Sequence, residues 1–146
     1  MSPVLLVILI VVVVFAIIAV VFLALQRVAT ARAQAARERF PNAKMIFPSA
    51  NFYGQESQGV MQLRGNGTLV LTDSELYFGM WLPQREFHIP ISAIEKVETP
   101  TSFLGKTNFR PLVKVVYRNE AGQTDAMAWL VQNVEGLKGA IEAAMK

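Results

Sequence analysis

The residue types that carry most enzyme chemistry are scarce in this chain, which has one histidine and no cysteine among its 146 residues. The lack of cysteine excludes disulfides, thiolate nucleophiles and cysteine-ligated metals. His88 lies in a predicted strand between Phe87 and Ile89 and faces away from both, so we expect it at an exposed or edge position. Acid–base catalysis there would need a nucleophile or carboxylate partner, and the sequence presents no recognisable one. We therefore expect no enzyme activity, no metal and no cofactor.

The glycine-rich segment Gly65-Asn66-Gly67 invites comparison with a phosphate-binding loop. A P-loop needs a lysine and a following helix, and this segment has neither. Asn-Gly is instead typical of a two-residue hairpin, because a type I′ turn needs positive φ at both central residues. We expect a β-hairpin turn at Asn66-Gly67.

Positive charge is concentrated in one segment of the chain. Residues 26–44, called the neck from here on, carry five cations and one acid, whereas residues 45–146 carry nine cations and ten acids. The neck cations are Arg27, Arg32, Arg37, Arg39 and Lys44. A nucleic-acid-binding domain usually carries its positive charge on the folded part. We therefore expect no nucleic-acid partner.

The neck follows an uninterrupted apolar run, Val4–Leu25. Its 22 residues would span about 33 Å as a helix, which matches a hydrocarbon core of roughly 30 Å. A cleaved signal peptide is the alternative, and Ala31-Arg32-Ala33 resembles a cleavage motif. However, no basic residue precedes the run, and the run exceeds the usual length of a signal-peptide core. We expect residues 1–25 to form an uncleaved transmembrane helix.

The charges flanking this helix predict its orientation. Arginines follow the run closely and none precedes it, so the positive-inside rule places the N-terminus outside and the C-terminal part in the cytoplasm. The expected location is the cytoplasmic (inner) membrane, with the lipid bilayer contacted through residues 4–25.

The neck should continue the helix, from about Pro3 to about Arg39. It is rich in Ala and Arg, which favour helix, and Pro41 disfavours helical geometry at Phe40. Its five cations form a candidate membrane interface for anionic head groups or a partner. The alternative is a topology signal on a solvated stalk, which we favour because every single-pass anchor needs such charges.

Residues 45–56 contain Pro48, Ser49 and Gly54, which predict a connector, although its large apolar side chains indicate that part of it packs. Residues 57–146 alternate apolar and polar positions between turn signals. The predicted strands are 60–64, 68–72, 76–81, 87–91, 94–97, 112–118 and 124–131. A helix from the N-cap Asn133 follows, with an apolar stripe of Val134, Leu137, Ile141 and Met145.

This order of elements resembles the pleckstrin-homology-like (PH-like) superfold, and more closely its bacterial PH and GRAM-type branch. The resemblance covers residues 57–146. The segments that carry it are 67–73, 76–78, 89–91, 94–97 and 113–115, the turn Gly122, and Ala128-Trp129. It implies a mostly β fold, a seven-stranded barrel capped by a C-terminal helix, and a lipid-binding or protein-binding role without catalysis. Phosphoinositide-binding members carry a Lys and an Arg-x-Arg across the first hairpin. Only Arg64 is present here, so we do not expect phosphoinositide binding.

Two exposed segments are the candidate partner-binding surfaces. We expect Trp81 and Leu82 to form an apolar tip between two strands that contacts a membrane or a partner, unless Trp81 folds back on the barrel. The long loop 102–110 mixes apolar and cationic groups, and loops on a rigid scaffold often carry binding sites, so we expect a binding site here. The alternative is that the loop only packs its aromatic side chains into the mouth of the barrel. Its candidate residues are Phe103, Leu104, Lys106, Phe109 and Arg110.

The sequence therefore predicts a membrane-anchored interaction module, an accessory or scaffold subunit of a membrane protein complex. A membrane-anchored module that senses anionic lipid head groups is the alternative. The net charge of −1 on residues 45–146 disfavours strong attraction to an anionic bilayer, so we expect protein partners.

Overall fold

The computed structural model describes residues 1–146 and contains two helices and nine strands. The helices are α1 (Pro3–Arg39) and α2 (Val134–Ala144). The strands are β1 (Met45–Gln55), β2 (Gly65–Leu71), β3 (Glu75–Met80), β4 (Arg85–Pro90), β5 (Ile94–Glu98), β6 (Ser102–Phe103), β7 (Lys106–Thr107), β8 (Val113–Arg118) and β9 (Thr124–Leu130). Short 3₁₀ turns lie at Glu56–Gln58 and Ile91–Ala93.

The ends of α1 follow from its flanking residues. The Ser2 hydroxyl accepts a hydrogen bond from the Leu5 amide, 3.2 Å away, and Pro3 occupies the first turn, where its missing N–H costs nothing. The helix ends before Phe40 and Pro41, as predicted. Its N-terminal part is long and apolar enough to cross a membrane, a test that a signal sequence would also pass.

Seven strands form one antiparallel sheet in the order β4-β3-β2-β1-β9-β8-β5. Strand β1 joins the two halves, because Met45–Phe52 pairs with β2 and Asn51–Gln55 pairs with β9. The remaining strands, β6 and β7, form a small separate hairpin.

The sheet coils around a single core. Phe78 on β3 and Trp129 on β9 would be about 14 Å apart in a flat sheet, since three strand spacings separate them, yet their ring centroids are 5.8 Å apart. Helix α2 closes this core with Leu137 and Ile141. Its N-cap is Asn133, as predicted, and the Asn133 side chain accepts a hydrogen bond from the Gly136 amide. Trp129 is a core residue, as its alternation with Met127 and Val131 predicts.

The structure corrects the prediction of a connector at residues 45–56, because residues 45–55 form the central strand β1. The turn-forming residues mark bulges within the strand. Pro48 lies at a register shift between Phe47 and Ala50, and Gly54, with a φ of 128°, lies at a second shift. Proline and glycine are tolerated in strands at such bulges, where the chain bends from one half of the sheet to the other.

The structure also corrects the hairpin predicted at Asn66-Gly67, because both residues lie within β2 and residues 60–64 form a loop instead of a strand. Gly67 is required for space rather than for a turn. A Cβ atom there would lie 2.3 Å from the Gly79 carbonyl oxygen and 2.6 Å from the Phe78 ring. Close approach of two strands therefore produced the same sequence signal as a tight turn.

We predict that Gly67→Ala lowers the free energy of unfolding of the full chain by about 1–3 kcal/mol, because the added methyl group meets backbone on the neighbouring strand. Gly139→Ala is the matched control. Nothing lies within 4 Å of its Cβ position on α2, so alanine should stabilise by about 0.5–1 kcal/mol. Urea unfolding in detergent, followed by tryptophan fluorescence, measures both. An unchanged midpoint for Gly67→Ala would contradict the packing described.

Candidate functional site

The neck packs against the outer face of the sheet, on the side opposite the core. Alternation along β2 and β3 turns Val70 and Tyr77 outward, and Ala36 covers both, with 8% of its own surface exposed. Phe40 continues the contact, its ring centroid 4.7 Å from that of Tyr77. The favoured expectation of a solvated stalk is therefore wrong for the second half of the neck, which is part of the folded domain.

A polar cluster of Arg39, Tyr77 and Glu86, called the latch from here on, closes this contact. Arg39 Nη1 donates to the Tyr77 hydroxyl at 3.0 Å and also to Glu86 Oε1, and the Tyr77 hydroxyl donates to the same Glu86 oxygen at 2.9 Å. The hydrogen bond from Arg39, followed by that from Tyr77, lowers the pKa of Glu86 to about 2. The latch thus connects the neck to β3 and β4 through an ionised carboxylate.

His88 extends this charged row along the edge strand β4, where it is exposed as predicted. Its Nδ1 lies 2.9 Å from Glu75 Oε2, and its Nε2 lies 3.7 Å from Glu86 Oε2. The structure therefore supplies the carboxylate partners that the sequence did not reveal, since the pairing of β3 with β4 makes Glu75 and His88 diagonal neighbours. Both ring nitrogens face carboxylates rather than a hydroxyl nucleophile, so the arrangement is that of an ion-pair row.

Arg32 connects the neck to the turn between β3 and β4. Its guanidinium carbon lies 3.6 Å from the centroid of the Trp81 ring, a cation–π contact. The Trp81 indole also lies near Thr68 Oγ1, at 3.4 Å. Trp81 therefore folds back on the sheet, as the alternative prediction held, and there it contacts both Thr68 on β2 and Arg32 of the neck. Leu82, the next residue, remains 85% exposed.

An open groove of 440 Å³ lies between the neck and strands β2–β4. Three arginines line it, Arg32, Arg39 and Arg85, together with Glu86. Its character is cationic, but Arg39 and Arg32 are already engaged by the latch and by Trp81. Two of the three guanidinium groups that line the groove therefore already have protein partners.

The five cations predicted as a membrane interface divide into two groups. Arg32 and Arg39 hold the sheet as described, and Lys44 forms an ion pair with Asp73 at 2.6 Å. Arg27 and Arg37 are exposed and form no ion pair. Only these two remain available to head groups or to a partner.

The loop 102–110 also divides between buried and exposed residues. Phe103 is 6% exposed and packs with Tyr53 and Leu112 on the outer face of the sheet's second half, so a partner cannot reach it. Lys106 donates to the backbone carbonyls of Tyr53 and Gln62 at 3.3 and 2.8 Å. Burial, and to a smaller extent Arg64, lowers the pKa of Lys106.

The residues of this loop that a partner can contact are therefore Phe109 and Arg110. Phe109 is 89% exposed, and Arg110 is exposed beside it. Leu104 is half-buried against the second-half cluster. Phe103 and Lys106 thus hold the loop against the domain, and only the end of the loop, at Phe109 and Arg110, forms a surface that a partner can contact.

One buried acid was not singled out from the sequence. Asp125 is 1% exposed and accepts hydrogen bonds from the Ser57 amide and hydroxyl, the Gln55 side chain and the Ala126 amide, at 2.6–3.0 Å. Burial acts to raise the pKa of Asp125, but these donors outweigh it and lower the pKa overall. Burial, with the charge of Asp125 nearby, raises the pKa of Tyr117 to about 12. Asp125 thus holds the end of β1 in place. The sequence signal that could have identified it is a single charged residue within the otherwise largely apolar strand TDAMAWL.

The comparisons with known proteins bear on the fold alone. No family profile and no curated protein matches the chain. Among solved structures, the chain is similar to the C-terminal domain of an unknown protein from Leishmania infantum, with a TM-score of 0.55 and 15% identity over 77% of this chain and 95% of that one. A different sequence thus adopts a similar arrangement of strands and helix.

We predict that Glu86→Gln weakens the latch in a pH-dependent way. The pKa of Glu86 is lowered to about 2 in the folded chain, so its stabilisation is complete above its ordinary pKa and is lost as the pH falls through about 2. The difference in unfolding free energy between wild type and variant should be about 0.5–1 kcal/mol at neutral pH, because the pair is partly exposed.

Urea unfolding of the full chain across this pH range measures that difference. Wild type and Glu86→Gln should converge as the pH approaches 2. Glu120→Gln, an exposed turn residue with no ion pair, serves as the control and should behave as wild type throughout. A constant difference at all pH values would contradict an ionised Glu86 in the latch.

Proposed function

We propose that this chain is a single-pass, membrane-anchored PH-like interaction module that serves as an accessory or scaffold subunit of a membrane protein complex. The fold part of the proposal draws on the coiled seven-stranded sheet, the bent β1 and the capping helix α2. These features agree with a PH-like barrel. The fold hosts many roles, so the functional part depends on the neck and the surface.

The anchoring part draws on the continuity of α1. An apolar run with exposed side chains passes without a break into the neck. Cleavage of a signal peptide near Ala31-Arg32-Ala33 would interrupt the helix at Arg32, whose side chain holds Trp81. Retention of the whole helix leaves these contacts intact. The basic neck then orients the N-terminus outside and the domain in the cytoplasm.

The rigid docking of the neck is the observation that carries the scaffold proposal. A domain on a free stalk samples many orientations and has to lose that freedom on binding. Here Ala36, the latch and the Lys44–Asp73 pair fix the domain on the helix that anchors it. Such a domain presents one constant surface to a neighbour in the same membrane, and the exposed Phe109 and Arg110 are the contact we propose.

The lipid-sensing alternative has weaker support from the arrangement of the cations. Lys106, a cation of the proposed sensing loop, is held by two backbone carbonyls. Arg64 lies over the Tyr53 ring, 4.9 Å from its centroid. Both cations are therefore already engaged by groups of the protein, and the residues beyond the neck have a net charge of −1.

The test is the composition of the native particle. We expect the chain, isolated from its source membrane in mild detergent, to copurify with an integral membrane protein in a fixed ratio. Phe109→Asn should reduce that ratio several-fold. Asparagine tolerates the left-handed backbone of this position, where φ is 54°, and the side chain is exposed, so the fold is preserved.

Glu120→Ala is the matched control, because this exposed residue lies at the opposite end of β8. It should leave the ratio unchanged. Recovery of the chain as a lone monomer or simple homo-oligomer would contradict the scaffold proposal and favour lipid sensing.

A further inference from the structure

The direction of the neck along the sheet determines which end of the domain faces the membrane. Arg32 contacts Trp81 at the end of β3, whereas Lys44 contacts Asp73 before its start. Helix α1 and β3 therefore run in opposite directions. Because the apolar run precedes the neck, the turn that begins at Trp81 lies on the membrane side, and the turn at Asp73 lies on the far side.

The loop that precedes β2 lies at this same end. The Trp81 amide donates to the Asn66 carbonyl at 3.0 Å, and Gly67 pairs with Met80. A Cβ atom on Gly65 would lie 3.7 Å from the Leu82 carbonyl oxygen. Residues 59–65 and 81–84 thus form one continuous end of the sheet.

This end carries most of the exposed apolar surface of the domain. After the end of α1 at Arg39, five large apolar side chains are exposed, and four of them belong to these two segments. They are called the rim from here on: Val60, Met61, Leu63 and Leu82, with exposed fractions of 60, 90, 83 and 85%. Exposed apolar groups clustered in this way mark an interaction site.

Hydrogen bonds of Gln62 hold the loop that carries three of the rim residues in one conformation. Gln62, between two rim residues, donates to the carbonyls of Gln55 and Gly59 at 2.6 Å and accepts from the Gln55 amide at 2.8 Å. Its carbonyl also accepts from Lys106 at 2.8 Å. Because the Gln62 side chain points toward the protein, the side chains of its neighbours Met61 and Leu63 point toward solvent.

The distance from the apolar run brings the rim close to lipid. Arg32 follows Leu25 by seven residues, which is about 10 Å along a helix, and any tilt of the helix shortens the height above the bilayer. The head-group layer on each side of the hydrocarbon is about 5–8 Å thick. The turn beginning at Trp81 therefore lies within one side-chain length of that layer.

The charges at this end fit the same surface. Arg27, Arg64 and Arg85 are exposed here or on the adjoining helix, and the acids are Glu56 and Glu86. Glu86 is neutralised by Arg39. Apolar side chains flanked by arginines are the composition that binds at a lipid interface.

We propose that the rim inserts into the head-group layer of the same phospholipid bilayer that holds α1, and so fixes the domain against the membrane surface. This inference rests on the proposed membrane anchor. It requires no recognition of a particular head group, because the contact is made by apolar side chains. The bilayer thus supplies a second attachment, in addition to the neck, for a domain that has to keep one orientation toward its partner.

The lack of cysteine allows a direct test by single-cysteine nitroxide labelling. The full chain is reconstituted in vesicles of phosphatidylcholine with a minor share of phosphatidylglycerol. Labels are introduced by Leu63→Cys and Leu82→Cys, by Glu120→Cys as an exposed reference in the β8–β9 turn, and by Ile17→Cys as a reference inside the apolar run. Accessibility to oxygen and to a water-soluble nickel complex gives the depth of each label.

The expected result is that labels at positions 63 and 82 are several-fold less accessible to nickel than the label at position 120, with Ile17→Cys more protected still. Nickel accessibility at positions 63 and 82 equal to that at 120, with position 17 still protected, would overturn the rim contact and leave the anchor intact. Free access of nickel to position 17 would overturn the anchor, and the rim proposal with it.

A second variant separates insertion from local shielding by the protein. The label is moved to Met61→Cys, and Leu63→Asp with Leu82→Asp is added to withdraw the rim from lipid. Both residues are exposed, so the fold should persist, which circular dichroism verifies. Nickel accessibility at position 61 should rise several-fold. An unchanged value would mean that the protein, and not the bilayer, shields this loop, and would overturn the proposal.

Discussion

The packing of the neck against the outer face of β2 and β3 is the contact on which the arrangement of this protein depends. Both faces of this coiled sheet carry apolar side chains. Those on the inner face pack together in the core, whereas those on the outer face need another element to cover them. Ala36 is small enough to let the helix approach Val70 and Tyr77 closely, and Phe40 stacks beside them. The latch then satisfies the Tyr77 hydroxyl, which would otherwise be half-buried without a partner. Without the neck, this face would be open to solvent.

The second half of the sheet meets the same requirement by another means. There residues 99–112 fold over the outer face, with Phe103 and Leu112 packed inward and Lys106 hydrogen-bonded to the Tyr53 carbonyl on β1. The two edge strands remain uncovered. Strand β4 exposes His88 and ends in Pro90, and β5 carries alternating charges, features that discourage pairing with another chain. A protein contact is therefore more readily made through an exposed loop, such as the one that carries Phe109, than through sheet extension.

Elements with strong local signals could be predicted from the sequence. Helix α1, the strands β3, β4, β5, β8 and β9, and the capped helix α2 follow from periodicity, proline and capping residues, whereas the short β6–β7 hairpin lies in a segment predicted as a loop. Strand β1 could not, because Pro48 and Gly54 serve as bulges that bend it, and local patterns do not separate a bulge from a turn. The turn predicted at Gly67 was wrong for a related reason. The strand β3, which leaves no space for a side chain at this position, is separated from Gly67 in the sequence, so local patterns do not reveal it.

The docked neck was hidden from sequence reasoning by its composition. Only Ala36 is buried on α1, so no apolar stripe marks the face that contacts the sheet. The arginines of the neck therefore predicted a solvated surface. Arg32 and Arg39 find their partners on β3, on β4 and in the turn between them, about 40 residues or more away in sequence. Such pairs depend on the folded sheet. Of the rim residues, only Leu82 was singled out from the sequence, as part of an apolar tip. The other three were recognised only after the direction of the neck had shown which end of the sheet adjoins the apolar run.

The most direct test of this account is the distance between the anchor helix and the domain. Nitroxide labels at Ala31→Cys on the neck and Glu120→Cys on the far end of β8 can be measured by double electron–electron resonance, in the full chain in lipid nanodiscs. A docked neck predicts a single narrow distance distribution, which broadens when Arg39→Ala removes the latch. A broad distribution in the wild-type background would mean that the domain moves freely on a stalk, and would contradict the account.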